Sequence, residues 1–92
     1  MGDSGQDPIL QDLREQIFAT DQAIVASVNR RLELVALIKQ HKAHHGYELV
    51  DVAREEWLLD HLTRANPGPL SAEGLREFYI GLLDLTKREV SF

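Results

Sequence analysis

No cysteine occurs anywhere in the 92 residues, which excludes disulfides and thiolate chemistry and is compatible with a reducing cytoplasm, the expected location. No apolar run approaches the roughly 18 residues of a membrane span, and no basic stretch leads into an apolar one as in a secretory leader. Basic charge is also scarce: 10 Lys and Arg face 15 Asp and Glu, a net charge of -5. A broad nucleic-acid surface needs a net basic face, so neither nucleic acid nor membrane is an expected partner. What is present, 43% hydrophobic and 27% charged residues, is ordinary for one soluble globular domain near the lower end of what folds alone. An acidic chain that binds a small anion must gather its cations locally.

Met1 to Pro8 is polar and contains glycine, and reads as a flexible tail ahead of a helical domain over residues 9–92. Within it, Gly2-Asp3-Ser4-Gly5 resembles the nucleophile motif of trypsin-like serine proteases. That motif belongs deep in a large β domain with its histidine and aspartate upstream, so the match reads as chance. Gln6 stands where N-myristoylation needs Ser or Thr.

From Ile9 to about His44 there is neither glycine nor proline, and helix formers dominate. Leu10, Leu13, Ile17, Ile24, Leu34 and Ile38 fall on a seven-residue a/d pattern, the seam of one long helix. Thr20, Ser27, Arg31 and His41 share that seam, and polar residues there need a reason. Such a rod is roughly 50 Å long, more than the remaining chain can surround, so a second copy is the natural cover. Gly46 ends the rod. Asp51 is placed to cap a second helix running to about Ala65, and Asn66-Pro67-Gly68-Pro69 breaks it. Ser71 caps a third, with Leu70 and Leu75 at the positions of a hydrophobic staple. Its apolar face is Leu75, Phe78, Tyr79, Leu82, Leu83 and Leu85. Trp57 and Leu58-Leu59 are expected to pack the second helix against the rod. The fold class is all-α: a long, a short and a medium helix.

Arg31 and Lys42, eleven residues apart, project from one face of the rod, roughly 16 Å apart along it. Arg14 lies seventeen residues before Arg31, roughly 25 Å away and about 100° around. It cannot share their pocket within one straight helix, but it can reach the equivalent pocket of an antiparallel partner. Read singly, Arg14, Arg30 and Lys42 are solvated helix cations, as most are. Asp51, Arg54, Glu55 and Leu58 form one stripe of the second helix, either a solvated face or a polar wall toward those cations. His41, His44 and His45 cluster at the end of the rod. His41 and His45 are spaced to share a metal, but no carboxylate is held nearby on the same helix. They read as helix-end histidines favoured by the C-terminal dipole, and no metal or cofactor is expected.

Leu13-Arg14-Glu15-Gln16-Ile17, then Thr20-Asp21, then Arg30-Arg31-Leu32-Glu33-Leu34 resemble the opening of AroQ-type, all-helical chorismate mutases. Lys42 follows at that family's spacing, Asp51-Val52-Ala53-Arg54-Glu55 resembles its DxxRE segment, and Asn66-Pro67-Gly68-Pro69-Leu70-Ser71 its linker. The similarity covers residues 10 to about 90. It implies an intertwined homodimer of three-helix chains, each active site completed by the partner. It also implies isomerisation of chorismate to prephenate for phenylalanine and tyrosine biosynthesis. By resemblance, Arg31 and the Arg14 of a second copy bind the two carboxylates, and Lys42 contacts the ether oxygen and a carboxylate. Glu55 accepts from the ring hydroxyl, Asp51 contributes through its backbone, and Arg54 braces the site. Thr86 falls where the family usually has serine. Val90 falls where it usually has Gln or Glu.

The implied reaction is an intramolecular Claisen rearrangement, which requires no nucleophile, metal or general acid. The site must fold the enolpyruvyl group over the ring and stabilise charge growing on the ether oxygen. Lys42 supplies one donor to that oxygen; Val90 has none to supply. Three readings address the gap. A register shift brings Glu89 or Lys87 into it, or a shikimate-pathway synthase orders the tail ending at Phe92 and activates a slow enzyme. The third is a substrate that is a relative of chorismate, the 4-amino-4-deoxy analogue or isochorismate. A non-catalytic helical dimerisation or regulatory module is the alternative outside enzymology. Val90 favours it, while Arg14, Arg31, Lys42, Arg54 and Glu55 oppose it.

Overall fold

The computed structural model describes residues 6–92, so most of the expected tail, with Gly2-Asp3-Ser4-Gly5, lies outside the described residues. Three helices follow in order: α1 (Pro8–His45), α2 (Val52–Ala65) and α3 (Ala72–Glu89). No strand occurs among the described residues. The all-helical order of long, short and medium is the expected one.

Local chemistry sets each boundary. At the start of α1, the Asp7 carboxylate accepts from the backbone N–H of Ile9 (2.9 Å) and Leu10 (3.2 Å). Pro8 takes the first helical position, where a missing N–H costs nothing. α1 ends in a Schellman turn: Gly46 adopts φ +71°, and the Tyr47 N–H reaches back to the Lys42 carbonyl at 2.8 Å. Asp51 caps α2 by accepting from the Arg54 N–H at 3.0 Å, and Ser71 caps α3 by accepting from the Gly74 N–H at 3.0 Å. α3 closes like α1, with the Phe92 N–H on the Lys87 carbonyl at 2.9 Å, but a serine, Ser91, holds the left-handed position (φ 61°).

The chain divides into two compact units, residues up to Glu33 and residues 34–92. In the second, α2 packs on α3, where Leu59, Leu75, Leu83 and the Thr86 side chain are buried. Contrary to the expectation that Trp57 and Leu58-Leu59 pack α2 against the rod, the helix that α2 packs on is α3; Leu59 is buried and Trp57 stays 45% exposed. No residue of α1 is buried, and the seam leucines and isoleucines lie open, Ile17 at 59% exposure. A long helix with an uncovered apolar seam has little to hold it in water by itself.

Candidate active site

The Schellman turn after α1 and the cap of α2 bound an open cleft of about 690 Å³ lined by Lys42, Tyr47, Glu48, Val50, Asp51 and Val52. Lys42 is half-buried and its ammonium donates to the Leu49 carbonyl at 3.3 Å. The same residue's carbonyl accepts from Tyr47, so the turn that ends the helix also fixes the lysine at the cleft wall. Asp51 lines the cleft while its carboxylate is engaged as the α2 cap and its carbonyl accepts from the Glu55 N–H. Two candidates distant in sequence, Lys42 and Asp51, thus share one cleft.

Next along α2, Arg54 lays its guanidinium over the Trp57 ring, 3.9 Å from the centroid. Trp57 in turn stacks on His61 at 3.8 Å, and the His61 Nδ1 lies 2.8 Å from the Trp57 carbonyl. A cation over an indole face is held electrostatically by the ring quadrupole, which restricts an otherwise mobile arginine. Glu55 is paired across to α3: the Lys87 ammonium lies 3.2 Å from one carboxylate oxygen and 3.1 Å from the other. Both side chains are largely withdrawn from solvent, at 27% and 33% exposure.

Thr86 is buried, its hydroxyl donating to the Leu82 carbonyl at 2.7 Å. Val90 is the half-buried C-cap of α3, with its N–H on the Thr86 carbonyl and its own carbonyl accepting from Lys39 at 2.9 Å. Lys39 also donates to the Ser91 carbonyl at 2.7 Å and sits 5.9 Å from the centre of the Phe92 ring. The residues after α3 are therefore tied down by one lysine of α1. Arg14 and Arg31 belong to the N-terminal unit, Arg14 exposed and Arg31 half-buried on α1.

At the end of α1, the His41 and His45 rings approach to 4.3 Å, and Tyr47 stacks on His45 at 5.5 Å. Among the described residues no group of three or more His, Asp or Glu is placed to hold a metal. No helix among them is long and apolar enough to cross a membrane.

The cleft at this helix end sets one cation, Lys42, beside two carboxylates, Glu48 and Asp51, the latter engaged as the α2 cap. A family model described as chorismate mutase type II matches residues 13–90. This chain belongs to that family. Two similar solved structures are chorismate mutases from Thermus thermophilus. The form II structure is 27% identical, with a TM-score of 0.85, covering 89% of this chain and 93% of that one. The form I structure is 28% identical, with a TM-score of 0.82, covering 84% and 96%. Among curated proteins, none matches. Chorismate mutases are isomerases, and the matched span takes in all eight candidates: Arg14, Arg31, Lys42, Asp51, Arg54, Glu55, Thr86 and Val90.

Sequence patterns missed Lys39, the pairing of Lys87 with Glu55, and the role of Trp57. The three-residue spacing of Arg54 and Trp57 is a legible signal for their contact. Lys39 on Val90 and Lys87 on Glu55 join residues more than thirty positions apart, which no local spacing reveals.

Proposed function

We propose that this chain, as a homodimer, rearranges chorismate to prephenate in a pocket built from Arg31 and Lys42 with Arg14 of a second copy. The observation that carries the reading is the chorismate mutase match over residues 13–90, which includes a cation at each of those three positions. In the reaction the ether C–O bond breaks as the enolpyruvyl methylene carbon bonds to the ring carbon bearing the carboxylate. Atoms stay within one molecule, so no cofactor takes part. Guanidinium forks at Arg14 and Arg31 suit the two carboxylates, since each can bind bidentately and fix orientation. The Lys42 ammonium offers a donor to the ether oxygen as charge develops there. Asp51 serves through its backbone, Arg54 steadied by Trp57 braces the pocket, and Glu55 accepts from the ring hydroxyl, with Thr86 and Val90 on the α3 side.

The uncovered seam of α1 supports the dimer, because a second copy laid along it removes Leu13, Ile17, Ile24, Leu34 and Ile38 from water. The absence of cysteine suits a cytoplasmic setting. Val90 favours a slow enzyme that a shikimate-pathway synthase activates. Lys39 already anchors the residues that follow α3, so activation on this reading means re-placing that segment rather than ordering it. Chorismate depletion by the purified chain, alone and with a candidate synthase, tests the proposal. Prephenate formation in either arm supports it; a folded dimer with no turnover in both would sink it.

A further inference from the structure

The Lys87–Glu55 pair has no counterpart among the sequence motifs and bears directly on what the pocket accepts. Resting on the proposed function, in which Glu55 meets the substituent at ring position 4, we propose that Lys87 is a specificity-determining residue. By neutralising Glu55 it selects a hydroxyl over an amine at that position.

The geometry is a carboxylate met end-on by an ammonium, with both oxygens within 3.2 Å of the Lys87 nitrogen. A carboxylate has about four lone-pair sites, so each oxygen keeps acceptor capacity after pairing. A neutral hydroxyl asks only for an acceptor, and the paired Glu55 still is one. An amine is protonated near neutral pH and brings a positive charge as well as a donor. Facing an unpaired carboxylate, that charge is compensated. Facing Glu55 already joined to Lys87, it is a second cation on one anion in a partly desolvated place, and like charges at that range repel. The half-burial of both partners keeps the contact from being screened as fully as a surface pair is.

The test compares chorismate with its 4-amino-4-deoxy analogue by kcat/KM. The ratio of the two is read for the native dimer, Lys87→Met, Lys87→Arg, Glu55→Gln and the double variant Lys87→Met/Glu55→Gln. The summed charge of the two positions is zero in the native protein, negative in Lys87→Met, positive in Glu55→Gln and zero again in the double variant. The amine-to-hydroxyl ratio therefore rises about tenfold in Lys87→Met, falls about tenfold in Glu55→Gln, and returns to within about threefold of native in the double variant. Lys87→Arg keeps the native ratio. Partial unfolding lowers both rates in proportion and leaves the ratio intact, so a merely structural role does not produce this ladder. An unchanged ratio in Lys87→Met, or a Lys87→Arg that behaves like it, overturns the assignment while leaving the mutase reading in place. A native dimer that rearranges neither compound fails the mutase reading, and this inference falls with it.

Discussion

Replacing Val90 with glutamine should make the enzyme faster. The substitution is well isolated. Val90 sits at φ -95°, ψ -2°, a helical conformation that glutamine adopts freely. Its backbone N–H is held by the Thr86 carbonyl and its carbonyl by Lys39 at 2.9 Å, and neither bond depends on the side chain. The valine is only half-buried, so losing its apolar burial costs under about 1 kcal/mol of stability. Against that, an added amide donor directed at the ether oxygen is worth roughly 100- to 1000-fold in rate, or about 2.7–4 kcal/mol of the barrier. Because the charge appears only in the transition state, kcat should rise while KM stays put. Initial rates of chorismate depletion over a range of concentrations separate the two, with thermal unfolding run alongside and Val90→Leu as the control. A change in kcat of less than about threefold, in a variant as stable as the parent, would refute the placement of position 90 beside the reacting oxygen.

Three further outcomes are expected. Ile17→Glu puts an unpaired carboxylate on the seam, which is costly wherever that seam is covered, so sedimentation should show monomers with reduced helicity; an intact dimer would remove the α1 seam from the interface. Lys39→Met keeps the aliphatic stem but removes the bonds of 2.9 and 2.7 Å to the Val90 and Ser91 carbonyls, costing about 1 kcal/mol. Hydrogen exchange at the Ser91 and Phe92 amides should then quicken, and unchanged exchange would mean the clamp is idle in solution. Ser91→Gly relieves the left-handed backbone of a residue with a Cβ and should stabilise the fold by about 0.5–1 kcal/mol in urea unfolding; a loss of stability would contradict the φ of 61°.

The helices are legible in the sequence because their punctuation is chemical and local. Gly46, Asp51, Asn66-Pro67-Gly68-Pro69 and Ser71 each have a conformational or capping role tied to residue type, and α1, α2 and α3 begin or end at them. The start of α1 is one residue earlier than expected because Asp7 caps and Pro8 opens it, a signal that the polar composition around it obscures. The candidate pocket is legible in part. Helical periodicity leads one to expect Arg31 and Lys42 on one face, and the family motifs name Asp51, Arg54 and Glu55, whereas the folded turn shows Lys42 and Asp51 lining one cleft. Trp57 reads as a packing residue because it is large and apolar, whereas Arg54 and His61 engage its ring on a half-exposed surface. The pairs Lys39 with Val90 and Lys87 with Glu55 depend on how separate helices meet. A lysine in isolation reads as solvated, since most are.

Subunit mixing tests the composite pocket. Arg14→Ala and Lys42→Ala should each be nearly inactive alone, since each spoils both sites of its own dimer. Reassorted at equal amounts, about half the dimers are mixed, and each mixed dimer holds one site with every cation intact, so about a quarter of native activity should return. Activity that stays at the level of the separate variants, with mixed dimers confirmed by native mass spectrometry, would contradict a pocket that takes Arg31 and Lys42 from one copy and Arg14 from the other.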